Sequence, residues 1–270
     1  MPKSIRAGLA LWALAALLAS ACTPTPVNPT AVPASAQPPA TVPPPVDGIY
    51  PCPTCRPTIP VPPMWQEVAI DVEGMQLRGM YWTPGYVPAP AVLLLHQNGG
   101  RKEDYSALSQ GLLKGGFAVL AIDMRGFGAT GGQPDWSKAQ QDIPQVIDWL
   151  AREARVNSDR LGIVGASVGS SLALTTAAQN SRVKGVVLLS PGLDYMGIQT
   201  EPAAGKYQGA LMLVSSAEDG PAAAAVPRLA DAHPGDEKIT GLNNAGHGTA
   251  MLQAQPSLIG DIVEWLKATL

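Results

Sequence analysis

The sequence predicts an α/β fold in which a mostly parallel central sheet is covered by helices on both faces, with no substantial lid domain. Two observations carry that prediction. From Met64 onward short apolar runs alternate with longer helical stretches, and several runs are apolar at nearly every position rather than every second one. A strand of that kind is buried on both faces, as in a parallel sheet between helical layers. The 270 residues, 46% hydrophobic and 14% charged, suffice for one large core.

The first 63 residues stand apart. Lys3 and Arg6 give a short positive region, Ala7 to Leu18 is almost wholly apolar, and Ala19, Ser20 and Ala21 are small. This is the layout of an export signal, with an apolar core shorter than the roughly 20 residues that span a bilayer. The run Leu-Leu-Ala-Ser-Ala-Cys resembles a bacterial lipobox, with Ala19 where such boxes usually carry Leu. The resemblance implies that 1–21 is a signal peptide and that Cys22 is lipidated. The protein is then expected at the outer face of a bacterial membrane, held to that surface without crossing it, with plain secretion as the alternative. From Thr23 to Pro63, 15 of 41 residues are Pro and only Asp47 and Arg56 are charged. Residues 22–63 are therefore expected to form an extended, disordered stalk. Cys52 and Cys55 lie among these prolines. No second Cys pair completes a metal site, and an exported setting makes a small local disulfide plausible.

The remaining segment, 64–270, is expected to be one folded domain. Val68–Val72 and Met75–Trp82 read as strands around a Glu73-Gly74 hairpin turn. Ala91–His96 is a continuous apolar strand, followed by helix from about Glu103 to Lys114 and a buried strand from Phe117 to Met124. A helix over Asp135–Glu153 contains Pro144, near its start or at a kink. Strand Leu161–Gly165, helix Val168–Gln179 and strand Val183–Ser190 follow. Strand Ala210–Ser216, helix Ala222–Ala232, strand Glu237–Leu242 and helix Ser257–Thr269 complete the alternation. Sites in such sheets lie beyond the carboxyl ends of the strands.

The formal charge is −3, and without Lys3 and Arg6 16 basic residues face 21 acidic ones. No long basic run is present to concentrate cations against phosphates, so nucleic acid is not expected as a partner.

Gly165-Ala166-Ser167-Val168-Gly169 joins a predicted strand directly to a predicted helix. A serine hydroxyl needs to be held out from the backbone and given a base before it is a useful nucleophile. A sharp turn does the first, and glycines at both outer positions remove the clash between strand and helix. Ser167 is therefore the candidate nucleophile. Only three His are present. His247, in Asn243-Asn244-Ala245-Gly246-His247-Gly248, follows the last strand in a loop whose glycines let the ring reach across the strand ends, and it is the candidate base. His233 sits in a His-Pro-Gly turn with no strand end beside it, and His96 reads as a structural residue at a strand end.

With these residues in place, 64–270 resembles the α/β-hydrolase family, in particular its lidless, dienelactone-hydrolase-like and bacterial serine esterase branches. Leu93-Leu-Leu-His96-Gln97-Asn98-Gly99-Gly100 is similar to the loop that supplies an oxyanion-hole amide, and Ala121-Ile-Asp123-Met-Arg125-Gly126-Phe-Gly128 to the turn after the family's fourth strand. The resemblance implies an oxyanion hole from the Asn98 and Val168 amides, with Gln97 standing where the family usually has Gly. It places the acid in the loop after Ala210–Ser216: Asp219 first, Glu218 second, Asp194 as an outside candidate. It implies a serine esterase acting through an acyl-enzyme on small or accessible esters, without cofactor or metal. Only 19 residues separate Ser190 from Ala210, too few for a helical lid, and Tyr195 and Met196 in that stretch could line a shallow pocket. A peptidase or thioesterase on the same triad, and a surface binding lipoprotein without catalysis, are the alternatives.

Overall fold

The computed structural model describes residues 59–61 and 64–270, so the expected signal segment, Cys22, Cys52 and Cys55 lie outside the described residues. Regular pairing begins earlier than the expected end of the stalk at 63. Ile59–Pro60 lies antiparallel to Tyr86–Val87, and Val61 supplies an N–H to Gly85 O at 2.8 Å, a donor that its proline neighbours lack.

Eight strands form one sheet: β1 (Met64–Val72), β2 (Met75–Thr83), β3 (Ala89–Leu95), β4 (Ala118–Asp123), β5 (Val156–Ala166), β6 (Val183–Leu189), β7 (Ala210–Ser216) and β8 (Glu237–Leu242). Their order is β8-β7-β6-β5-β3-β4-β2-β1. Strands β3 to β8 are parallel to one another, while β2 runs antiparallel to β4 and to β1. The β1–β2 turn holds Glu73 at φ 41 and Gly74 at φ 80, the left-handed pair that a two-residue hairpin of this hand requires.

Helices α1 (Ser106–Lys114), α2 (Trp136–Arg152), α3 (Val168–Ala177), α4 (Gly220–Ala232) and α5 (Ser257–Thr269) provide the cover. Strand pleating explains why the strands are apolar throughout. In β3, Leu93 and Leu95 join the core beneath α2, α3 and α4, and Val92 and Leu94 join the core beneath α1 and α5. Helix α2 is capped by the Asp135 carboxylate, which accepts from Lys138 N at 3.0 Å, and it runs on through Pro144. A four-residue 3-10 turn, Lys102–Tyr105, precedes α1 where the sequence suggested continuous helix.

The turn after β4 is tied down by buried charge. Asp123 accepts from Lys102 N at 2.8 Å, Lys102 Nζ at 2.7 Å and Ala129 N at 2.8 Å. Burial alone would raise its carboxyl, but the bonds from Lys102 and Ala129 outweigh it and hold the group below the usual carboxylate range. Arg125 grips Asp142 of α2 with two bonds of 2.9 and 2.7 Å. The Asp-x-Arg-Gly sequence thus has a structural function. The chain winds outward from β3 in both directions, through β4 on one side and β5 on the other, so the switch point falls between β3 and β5.

Candidate active site

One residue, Ser167, separates the end of β5 from the start of α3. Its backbone stands at φ 53, ψ −121, a conformation that costs a residue with a Cβ of order 1–3 kcal/mol and persists only where the surroundings enforce it. The enforcing contacts are visible. A Cβ on Gly165 would lie 2.2 Å from Gly169 O, and one on Gly169 would lie 2.3 Å from Leu95 O and 2.5 Å from His96 O. Only glycines allow strand, turn and helix to approach so closely, which is why the sequence carries them on both sides.

The second half of the site comes from the ends of β7 and β8. His247 Nδ1 lies 2.7 Å from Asp219 Oδ2. The Asp219 side chain is 8% exposed and the imidazole 45%, so the ring is open to solvent on one side and held by a sheltered carboxylate on the other. Asp194 is not part of this arrangement: it accepts from Gly197 N at 2.9 Å inside its own hairpin. Glu218, beside Asp219 in sequence, bonds the backbone of the His247 loop instead of the ring. Its oxygens accept from Asn244 N at 2.9 Å and Gly246 N at 2.8 Å. Hydrogen bonds from the Ser216 hydroxyl and from those amides pull its carboxyl down to about 2.

Two serines complete the support of this loop. Ser216 Oγ accepts from Ala245 N at 3.0 Å, and the buried Ser190 Oγ accepts from Gly248 N at 2.8 Å. Gly248 sits on the end of β5, where a Cβ would lie 3.6 Å from the Ala166 Cβ. The loop bearing the imidazole therefore passes over the residue before Ser167. No hydrogen bond joins Ser167 to His247 among the described residues; such pairs are commonly loose without substrate and tighten on reaction.

The oxyanion candidates flank the same turn. Val168 is the first residue of α3, so its N–H has no intrahelical acceptor. Asn98 is exposed in a turn closed by Gly100 N donating to Gln97 O at 2.9 Å. The close approach of Gly169 to the Leu95 and His96 carbonyls sets the start of α3 against the root of this turn. His96 is structural, as read from its position: Nε2 accepts from Met124 N at 3.0 Å, Nδ1 donates to Gln97 O at 2.7 Å, and burial pushes the ring's pKa down. His233 stacks on Tyr207 with centroids 5.7 Å apart, away from the site.

Between β6 and β7 the chain forms a small hairpin, Asp194–Tyr195 with Ile198–Gln199, and a single helical turn, Glu201–Ala204. Tyr195 meets the His247 ring edge to face, centroids 6.3 Å apart at 84°. Its hydroxyl is buried without a hydrogen-bond partner among the described residues, and burial followed by the Asp219 charge pushes its pKa up. Met196, at the hairpin tip, is 52% exposed. A cavity of about 440 Å³ lies at the amino ends of β6 and β7, lined by Asn180, Lys184, Lys206 and Tyr207 among others, at the rim opposite Ser167. Among the described residues no group of three His, Cys, Asp or Glu side chains could hold a metal ion, and no helix is long and apolar enough to cross a membrane.

A parallel sheet with a strained serine at its switch point and a His–Asp pair beside it defines the α/β-hydrolase fold, and comparison with known proteins agrees. A family model described as alpha/beta hydrolase fold matches residues 90–223, and this chain has that fold. A putative hydrolase of Bacillus subtilis is 30% identical over 165 residues, covering 48% of this chain and 55% of its own. The chain spans about half the length of the curated relatives it matches. Among solved structures, a dienelactone hydrolase from Anabaena variabilis superposes with a TM-score of 0.62 at 20% identity, covering 77% of this chain and 96% of its own. An esterase from Pyrococcus furiosus gives 0.63 at 20%, covering 76% and 90%. At these identities the likeness is one of fold.

Sequence reading missed the supports of the His247 loop. Ser190 and Ser216 look like ordinary strand-end residues.

Proposed function

We propose that this chain is a serine hydrolase that cleaves carboxylic esters. His247 takes the Ser167 proton as the hydroxyl oxygen bonds to the ester carbonyl carbon, and the resulting oxyanion rests on the Val168 and Asn98 amides. His247 returns the proton to the departing alcohol, leaving an acyl-Ser167. Water, deprotonated by the same imidazole, then releases the acid. Asp219 holds the imidazole in the tautomer with its proton on Nδ1 and steadies the imidazolium. The observation that carries the reading is a serine held at φ 53 between strand and helix, beneath a loop that presents a His–Asp pair bonded at 2.7 Å.

Small or accessible esters suit the site best, because among the described residues only the short 194–199 hairpin and one helical turn stand beside it and the imidazole is nearly half exposed. The hydrolase and esterase names of similar proteins support the same class. Release of nitrophenol from acetyl, butyryl and octanoyl nitrophenyl esters by residues 59–270, abolished in Ser167→Ala, is expected. No turnover on any of them, with turnover of thioesters or peptide amides instead, replaces the ester assignment; no turnover on all three classes leaves a binding protein. The export signal over 1–21 and a lipid on Cys22 are likewise proposed from sequence, and metabolic labelling with a fatty acid that Cys22→Ala abolishes is the expected result.

A further inference from the structure

We propose that Gln97 is a positioning residue for this reaction, strapping the loop that carries the Asn98 amide to the loop that carries His247; the inference rests on the hydrolase reading above. Gln97 Oε1 accepts from both Thr249 N and Thr249 Oγ1 at 3.0 Å, a contact between positions 152 residues apart. The carboxyl end of β3 is thereby joined to the loop after β8, across three intervening strands of the sheet. The same oxygen packs against Gly248, where a Cβ would come within 2.7 Å of it. Glycine at 248 is what lets the amide reach.

The strap completes a clamp with two sides. Glu218 and Ser216 hold the amides of Asn244, Ala245 and Gly246 before the imidazole. Ser190 and Gln97 hold those of Gly248 and Thr249 after it. His247 is thus fixed by its backbone on both sides while its ring stays exposed, and on one side the fixing group is the residue next to the oxyanion donor. A half-buried neutral amide sets this distance without adding a charge beside the imidazole. A glycine at 97 has no side chain with which to make the contact.

The test is a double-mutant cycle read in kcat and KM with a nitrophenyl ester. Gln97→Met, similar in length and a far weaker acceptor, is expected to lower kcat roughly 10- to 100-fold with KM within about threefold, the scale of a displaced catalytic group. Thr249→Val removes one of the two donors and is expected to cost about 3- to 10-fold, while Thr249→Ser, which keeps both, stays close to wild type. Because both changes cut one strap, the double variant should match Gln97→Met alone. Multiplying losses, a loss confined to KM, or Gln97→Met within about threefold of wild type would overturn the proposal. Failure of the underlying reading is seen separately, as wild-type turnover that Ser167→Ala leaves untouched. Amide exchange at Thr249 reads the strap without substrate: Gln97→Met should speed it at least about tenfold, and unchanged protection contradicts the contact.

Discussion

Asp219 and Glu218 are neighbours in sequence, both acidic and both bonded to the same loop, yet their structural partners predict different consequences on neutralisation. Asp219→Asn removes the negative charge that faces the ring. A charge-assisted bond is worth about 1.5–3 kcal/mol, so weakening the 2.7 Å contact alone slows the reaction by roughly 10- to 150-fold. The amide also offers an N–H to Nδ1, which favours the tautomer with its proton on the wrong nitrogen. With that included the expected loss in kcat approaches 10⁴-fold, about 5.4 kcal/mol of barrier. The shelter of Asp219, 8% exposed, keeps solvent from masking the effect. Glu218→Gln acts on backbone amides and keeps one oxygen acceptor, so a loss of no more than about tenfold is expected. The assay is kcat for a short nitrophenyl ester near pH 8, with circular dichroism melts confirming that both variants fold. Retention of more than about a tenth of activity in Asp219→Asn, or a larger loss in Glu218→Gln, refutes the division of labour between the two carboxylates.

Three further outcomes follow from the same contacts. Gly169→Ala sets a methyl 2.3 Å from the Leu95 carbonyl oxygen, so the start of α3 must move; a destabilisation of about 1–3 kcal/mol and a loss near 10²-fold in kcat are expected from denaturant titration and turnover, and an unchanged enzyme contradicts the close approach. Arg125→Met strands the buried Asp142 carboxylate and is expected to cost about 3–5 kcal/mol, lowering Tm by roughly 6–20 °C, whereas a fall under about 2 °C contradicts the buried pair. Glu218 titrates near 4.5 when unfolded and about 2 when folded, so its stabilisation is complete above pH 4.5 and disappears as pH falls toward 2. Wild type should therefore lose more Tm than Glu218→Gln over that interval, and parallel curves would count against the clamp.

The features legible in the sequence were those governed by local chemistry. Apolar runs such as Val92–Leu95 announced strands buried on both faces, and the bounds of β7, β8 and α5 match their residues as read. The glycines at 165 and 169 could be assigned a purpose because strand and helix meet within one residue. His247 was legible as the histidine in a glycine-flanked loop after the last strand. What escaped was long-range polar bonding. A glutamine after a strand carries no mark that its amide will meet a threonine 152 residues on, and hydroxyls at 190 and 216 resemble any strand-end serine. Glu218 looked like a second candidate for the acid because spacing alone does not say which of two adjacent carboxylates faces the ring. Short elements, the 194–199 hairpin and the turn of helix over Ala250–Ala254, fell below the length at which periodicity speaks.

The most direct test of the whole account is the site of covalent capture by a fluorophosphonate. Mass spectrometry should find one adduct, on the peptide containing Ser167, formed quickly in wild type, slowly in His247→Ala and not at all in Ser167→Ala. Equal labelling of wild type and Ser167→Ala, or an adduct on another serine, contradicts it.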